Sequence, residues 1–178
     1  MTTLALPFAP AAAKPGFDLS PATRSTIGLA CVTMSFAILW ALGWAALGLA
    51  PDVSPYWSKL PIMIHFAAVV PSIPLGGWLL LARKGTPLHR QLGKLWGGLM
   101  VVTALSAIFI RTSGSFSWIH LFVPITLHAA WKVVATARAD DLKAHKAHLV
   151  RTYLTALLIP GLFTFAVPGR LLNVLAFG

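Results

Sequence analysis

PIMIHFAAVVPSIPLGGWLLLA, residues 61–82, runs for 22 residues without a Lys, Arg, Asp or Glu, and Arg83 and Lys84 follow it at once. About 20 apolar residues rising about 1.5 Å each cross the ~30 Å of a bilayer's hydrocarbon. Without water to satisfy it, the backbone of such a stretch must pair within itself, so the stretch has to be a helix. Its only titratable side chain is His65, four residues in.

Four more stretches read the same way: Thr26–Ala50, Gln91–Ile110, Trp118–Arg138 and Leu149–Pro168. The expected fold is an all-α polytopic transmembrane helix bundle of five spans, a four-helix core plus an N-terminal span. It forms one domain over residues 26–178 behind a tail at 1–25. Composition agrees: the 178 residues are 57% hydrophobic and 10% charged, against about 45–50% and about 25% in soluble domains. The tail holds four prolines and no basic run ahead of its weakly apolar start. It resembles neither a cleaved signal peptide nor a span, and is read as a cytoplasmic tail at the membrane surface.

The formal net charge of +10 does not point to nucleic acid, because the cations lie between the apolar blocks. Lys14 and Arg24 are in the tail, Arg83, Lys84 and Arg90 in the second connection, and Arg138, Lys143, Lys146 and Arg151 around the fourth. The first and third connections carry only Lys59 and Arg111. Positive loops stay inside, so the N-terminus is expected in and the C-terminus out. Pro168-Gly169-Arg170 ends the last helix, and Leu171–Gly178 is expected along the outer interface. Trp57, Trp96 and Trp118 read as interfacial anchors, and Gly76-Gly77 and Gly97-Gly98 as places where helices, or a flat ligand, approach closely.

Several classes of chemistry drop out. The four carboxylates, Asp18, Asp52, Asp140 and Asp141, all lie outside the spans, which argues against a proton pump or cation-coupled transporter. Cys31 is the single cysteine, so neither a disulfide nor a cysteine metal site can form within the chain. No nucleophile elbow, Walker A loop or dinucleotide fingerprint is present.

Six histidines remain. His65 and His120 each fall within four residues of the outer start of a span, about 3–6 Å deep, level with each other on different helices. On the inner side His89 precedes span three, while His145 and His148 precede span five. His128 lies about 15 Å down span four with no partner at its depth. Two imidazoles meeting at one depth are what a b-type haem needs, one axial nitrogen from each. Lys59 and Arg111 outside, and Arg83, Lys84, Arg90 and Lys146 inside, are candidate partners for the propionates. An ordinary alternative stands beside this one: histidines in basic connections commonly face water or lipid phosphate, and His128 is read as held by hydrogen bonds within the bundle.

Lys84-Gly85-Thr86-Pro87-Leu88-His89-Arg90-Gln91-Leu92-Gly93, Phe116-Ser117-Trp118-Ile119-His120-Leu121, Ala137-Arg138 through Asp141 to His145, and Pro168-Gly169-Arg170 together resemble the DUF2306 family of predicted bacterial membrane proteins. The resemblance covers about residues 61 to 172. It implies a multi-span fold in the bacterial inner membrane and histidine positions matching His65, His89, His120 and His145, but no established activity. That two-layer layout is similar to the diheme cytochrome b561 and ferric-reductase-like groups at the level of fold.

Three functional readings follow. The first is a haem b protein with one or two haems, His65 and His120 holding an outer one and His89 and His145 an inner one. It would carry electrons from a quinol or cytoplasmic donor to an acceptor outside. The second is a non-catalytic accessory subunit of a larger respiratory or photosynthetic membrane complex, contacting other membrane subunits or further copies of itself. The third, a His-lined transporter or metal-handling protein, is weakened by the missing acids. In all three the bilayer is a partner and nucleic acid is not.

Overall fold

Helix α1 (Pro21–Ala46) starts where the Ser20 hydroxyl accepts the Thr23 amide at 3.2 Å, with Pro21, which needs no amide partner, in the first turn. The helix thus begins five residues before the expected Thr26. Our computed structural model describes residues 19–111 and 118–178, and every regular element among them is helical. The expected tail up to residue 18, residues 112–117 of the third connection and the Trp118 ring lie outside the described residues.

Past α1 the chain turns at Gly48, whose φ of +71° suits glycine. It then makes the single turn α2 (Ser54–Trp57), where the Asp52 carboxylate accepts the Ser54 amide at 2.8 Å and the Ser54 hydroxyl at 3.0 Å. Helix α3 (Leu60–Leu81) follows, then α4 (Pro87–Ala107), capped by the Thr86 hydroxyl on the His89 amide at 3.1 Å. A 3₁₀ turn (Trp118–Leu121) leads into α5 (Phe122–Arg138). Helix α6 (Leu142–Thr152), a wide π turn (Tyr153–Leu158) and α7 (Ile159–Ala166) run on as one continuous helix, and α8 (Leu171–Phe177) ends the chain. The π turn falls just before Pro160, where a wider turn relieves the clash of the pyrrolidine ring with the helix behind it.

Three of these helices are long and apolar enough to cross a bilayer: α1, α3 and the continuous helix Leu142–Ala166. The stretches at α4 and α5 are of another kind. Helix α4 carries His89, Arg90, Gln91 and Lys94 in its first turns, and α5 has 17 residues, His128 and Lys132 among them.

Helix α3 is central, packing against α4, α1 and the π turn, while α5 lies between α4 and α6. Gly76 and Gly77 make this possible. A Cβ on Gly76 would lie 2.6 Å from Trp96 Nε1 and 2.7 Å from Tyr153 Cδ2, and one on Gly77 would strike the Cys31 side chain. Into the space so left, Trp96 Nε1 donates to the Ser72 carbonyl at 3.0 Å and the Tyr153 hydroxyl to the Ile73 carbonyl at 3.0 Å. Each such bond contributes about 1 kcal/mol net and would cost more if left unmade at this depth.

Several expectations need correcting. Trp96 is no interfacial anchor: it is 1% exposed, because its indole N–H finds a carbonyl on the glycine face of α3. Gly97 and Gly98 are not packing glycines, since nothing lies within 4 Å of a Cβ on either. The last long helix begins at Leu142 rather than Leu149 because Asp141 caps it, its carboxylate accepting the Ala144 amide at 3.0 Å. His145 and His148 therefore stand on a helix and not in a connection. Gly169, at φ +74°, turns the chain back so that Leu172 and Leu175 of α8 are buried, with α8 packed on α1 and α7.

Candidate functional site

The start of α3 and the ends of α4 and α7 meet at one end of the bundle, and a cavity of about 370 Å³ opens there, within the usual range of small-molecule sites. His65, Phe66, Val69 and Val70 of α3 form one wall, and Thr103 of α4, His120 of the 3₁₀ turn and Thr126 of α5 form others. Pro160, Gly161 and Thr164 close it from α7. Around the helix ends stand Tyr56, Lys59, Arg111 and Arg170. The Tyr56 hydroxyl donates to the Gly169 carbonyl at 2.8 Å and so ties α2 to the turn before α8.

Within this cavity His65 is held firmly. Its Nδ1 lies 2.9 Å from the Thr103 carbonyl and 3.2 Å from the Ser106 hydroxyl. A carbonyl can only accept, so Nδ1 carries the proton and Nε2 keeps its lone pair. The Thr103 hydroxyl is buried and makes no hydrogen bond among the described residues. Among those residues no carboxylate lines the cavity, which is apolar in its body and positive where Lys59, Arg111 and Arg170 gather.

The opposite end of the bundle holds the second pair. His89, in the first turn of α4, is buried and its Nδ1 makes no hydrogen bond among the described residues. Burial above all, then the charges of nearby Lys84 and His145, hold its imidazole below the ordinary range. His145 Nδ1 donates to the Val133 carbonyl at 2.9 Å, which turns Nε2 the other way.

All four histidines singled out from the sequence thus fall at two ends of one bundle, two in the wall of one cavity and two close enough to act on each other electrostatically. Lys59 and Arg111 line the His65 cavity. Arg90 is exposed and Lys146 half-buried, on the same first turns as His89 and His145. Lys84 serves another purpose: its ammonium caps α3, donating to the carbonyls of Leu79, Leu80 and Ala82 at 2.8, 2.6 and 3.1 Å.

Sequence reasoning missed Thr103, Thr126 and Arg170. A signal existed for Thr103 and Ser106, two hydroxyls one turn apart in an apolar run. None existed for Arg170, which the chain's fold-back alone carries to the cavity. Among the described residues no three His, Cys, Asp or Glu side chains gather as a metal site, so a tetrahedral zinc-type ligand set is not assembled there. No protein-family model, curated protein or solved structure matches the chain.

Proposed function

We propose that this protein is a five-span b-type haem protein of the bacterial inner membrane, N-terminus inside, resembling the DUF2306 proteins. It would pass electrons between a quinol or cytoplasmic donor and an acceptor outside through bis-histidine sites. The observation that carries this reading is the single cavity with both His65 and His120 in its wall and three cations at its end. The donor chemistry fits a porphyrin iron. His65 and His145 each tie Nδ1–H to a backbone carbonyl and present Nε2, the arrangement that orients ligating imidazoles and raises their basicity.

In this reading His65 and His120 would hold the outer haem, and His89 with His145 an inner one. Phe66, Val69 and Val70 would exclude water from the haem. Lys59, Arg111 and Arg170 would neutralise its carboxylates outside, as Arg90 and Lys146 would inside. When bound, haem would supply one-electron chemistry at its iron, tuned by these histidines and by burial. In this reading helices α4 and α5 would serve as the third and fourth spans.

The test is a dithionite-reduced minus oxidised spectrum of the purified protein with haem quantified per chain. A low-spin bis-histidine signal is expected, one haem being lost in His65→Ala or His120→Ala and the other in His89→Ala. A protein purified from haem-replete cells with no such signal refutes the reading. A reporter fused after Gly178 should be active outside the cytoplasm, and cytoplasmic activity would overturn the orientation.

A further inference from the structure

Apart from the histidine cavity, a second hollow lies on the flank of the bundle. It is a groove of about 510 Å³ between α5 and the helix that runs through α6 into the π turn, and it is more open than the first. Pro124, Ile125 and Ala129 make an apolar floor, while His128, Lys132, His148 and Arg151 supply every titratable group that lines it. His128 and His148 are the two histidines for which the haem reading has no use. The groove brings them together, although the sequence placed them at different depths.

The position of the two cations is what needs an explanation. Lys132 lies six residues before the end of α5, about 9 Å along the helix, and Arg151 nine residues after the start of α6, about 13 Å along. In the five-span reading both stand within the length of a span, in the groove on its flank rather than in the bundle core. Charges at such depth are costly unless a counter-charge or water reaches them. Among the described residues no carboxylate lines the groove, and the Lys132 ammonium lies over the Trp131 ring, 5.0 Å to its centroid. Asp141, at the helix turn below, is already engaged as the cap of α6.

We infer that this groove is a binding site for an anionic phospholipid. Its phosphate would sit between Lys132 and Arg151, with His148 and His128 as further donors, and one acyl chain would lie over Pro124 and Ile125. Two observations favour a lipid over a soluble anion: the groove continues from the cations onto an apolar strip, and Ile125 and Trp131 beside it are both more than half exposed. Basic pockets between helices on the cytoplasmic side of a membrane are where acidic headgroups are held. The site rests on the five-span, N-terminus-inside reading but not on haem, since none of its residues belongs to either histidine pair.

The test uses the full chain in phosphatidylcholine vesicles with trace spin-labelled phosphatidylglycerol or spin-labelled phosphatidylcholine, reading the motionally restricted fraction of each by electron paramagnetic resonance. A selectivity of up to about 30-fold for phosphatidylglycerol is expected, the equivalent of about 1 kcal/mol for each of two cations. Lys132→Gln with Arg151→Gln should bring the ratio close to one. Arg83→Gln with Lys143→Gln, which removes the same charge from exposed positions elsewhere, should leave most of it. Should the first pair fail to fold, Lys132→Gln alone serves: it should lower the selectivity to about five-fold, and an unchanged ratio would overturn the site.

Equal restriction of the two lipids by the wild-type chain would overturn the site, as would equal losses in the two charge-removed pairs. Competition by millimolar inorganic phosphate would make the occupant a free anion instead. Burial of the groove by a second copy of the chain, seen as a lipid-independent dimer, would also refute the proposal.

Discussion

Gly76→Ala is the substitution for which the structure permits the fullest accounting. The new methyl would lie 2.6 Å from Trp96 Nε1 and 2.7 and 2.9 Å from two ring carbons of Tyr153. Neither ring can retreat cheaply: Trp96 is 1% and Tyr153 0% exposed, and each is tied to an α3 carbonyl by a 3.0 Å hydrogen bond. Alanine gains about 1 kcal/mol of helix propensity over glycine. Overpacking of a closed core costs about 1–3 kcal/mol, and loss of both ring hydrogen bonds about 1 kcal/mol each. The balance is a destabilisation of about 3 kcal/mol. At about 2–4 °C per kcal/mol for a chain of this size, Tm should fall on the order of 6–12 °C. Tyr153 begins the π turn whose next residues line the histidine cavity, so the displacement should reach the ligand site as well. Thermal unfolding in detergent micelles, followed by far-UV circular dichroism, reads the shift, with Gly98→Ala as the control. That glycine has nothing within 4 Å of its would-be Cβ, so alanine there should be neutral or slightly stabilising. If the two variants melt together, the close approach of α3, α4 and the π turn is wrong.

Thr103→Val keeps the shape of a buried side chain whose hydroxyl makes no hydrogen bond among the described residues, so the ligand-free protein should be unchanged or stabilised by about 1 kcal/mol in the same melt. A clear loss would show that the hydroxyl serves the fold and not the cavity. Asp141→Ala removes the cap of α6 and should cost about 1 kcal/mol, with Asn restoring most of it; no change in Tm would mean that helix entry is set elsewhere. The Ser54 amide and hydroxyl hold the Asp52 carboxyl below its ordinary range, so its contribution is fully present above pH 3.8 and is lost as pH falls below that value. An acid titration of Trp57 fluorescence should therefore show a transition below pH 3.8 that Asp52→Ala removes, and an unaltered titration in that variant would discard the assignment.

Charge-free runs, the proline and glycine breaks and the lack of buried acids are properties of the chain alone. They determine a helical membrane protein, because a backbone without water has no other way to satisfy itself. The spacing of His65 and His120 from their helix starts likewise determined that they share one end of the bundle, since rise per residue converts sequence distance into depth. Which side of a helix faces which neighbour is not written in that way. Trp96 and Trp57 look alike in sequence, yet one lies in the core and the other edge-on to Phe66 at 5.2 Å, because only the glycine face of α3 leaves room for a ring and a carbonyl for its N–H. Gly76 and Gly97 look alike too, and only the first has a neighbour. The return of Arg170 to the cavity and the placing of His128 and His148 in one groove depend on how α5, α6 and α8 fold back against the rest. Such encounters join residues far apart along the chain, and their free energy comes from packing that no local stretch contains.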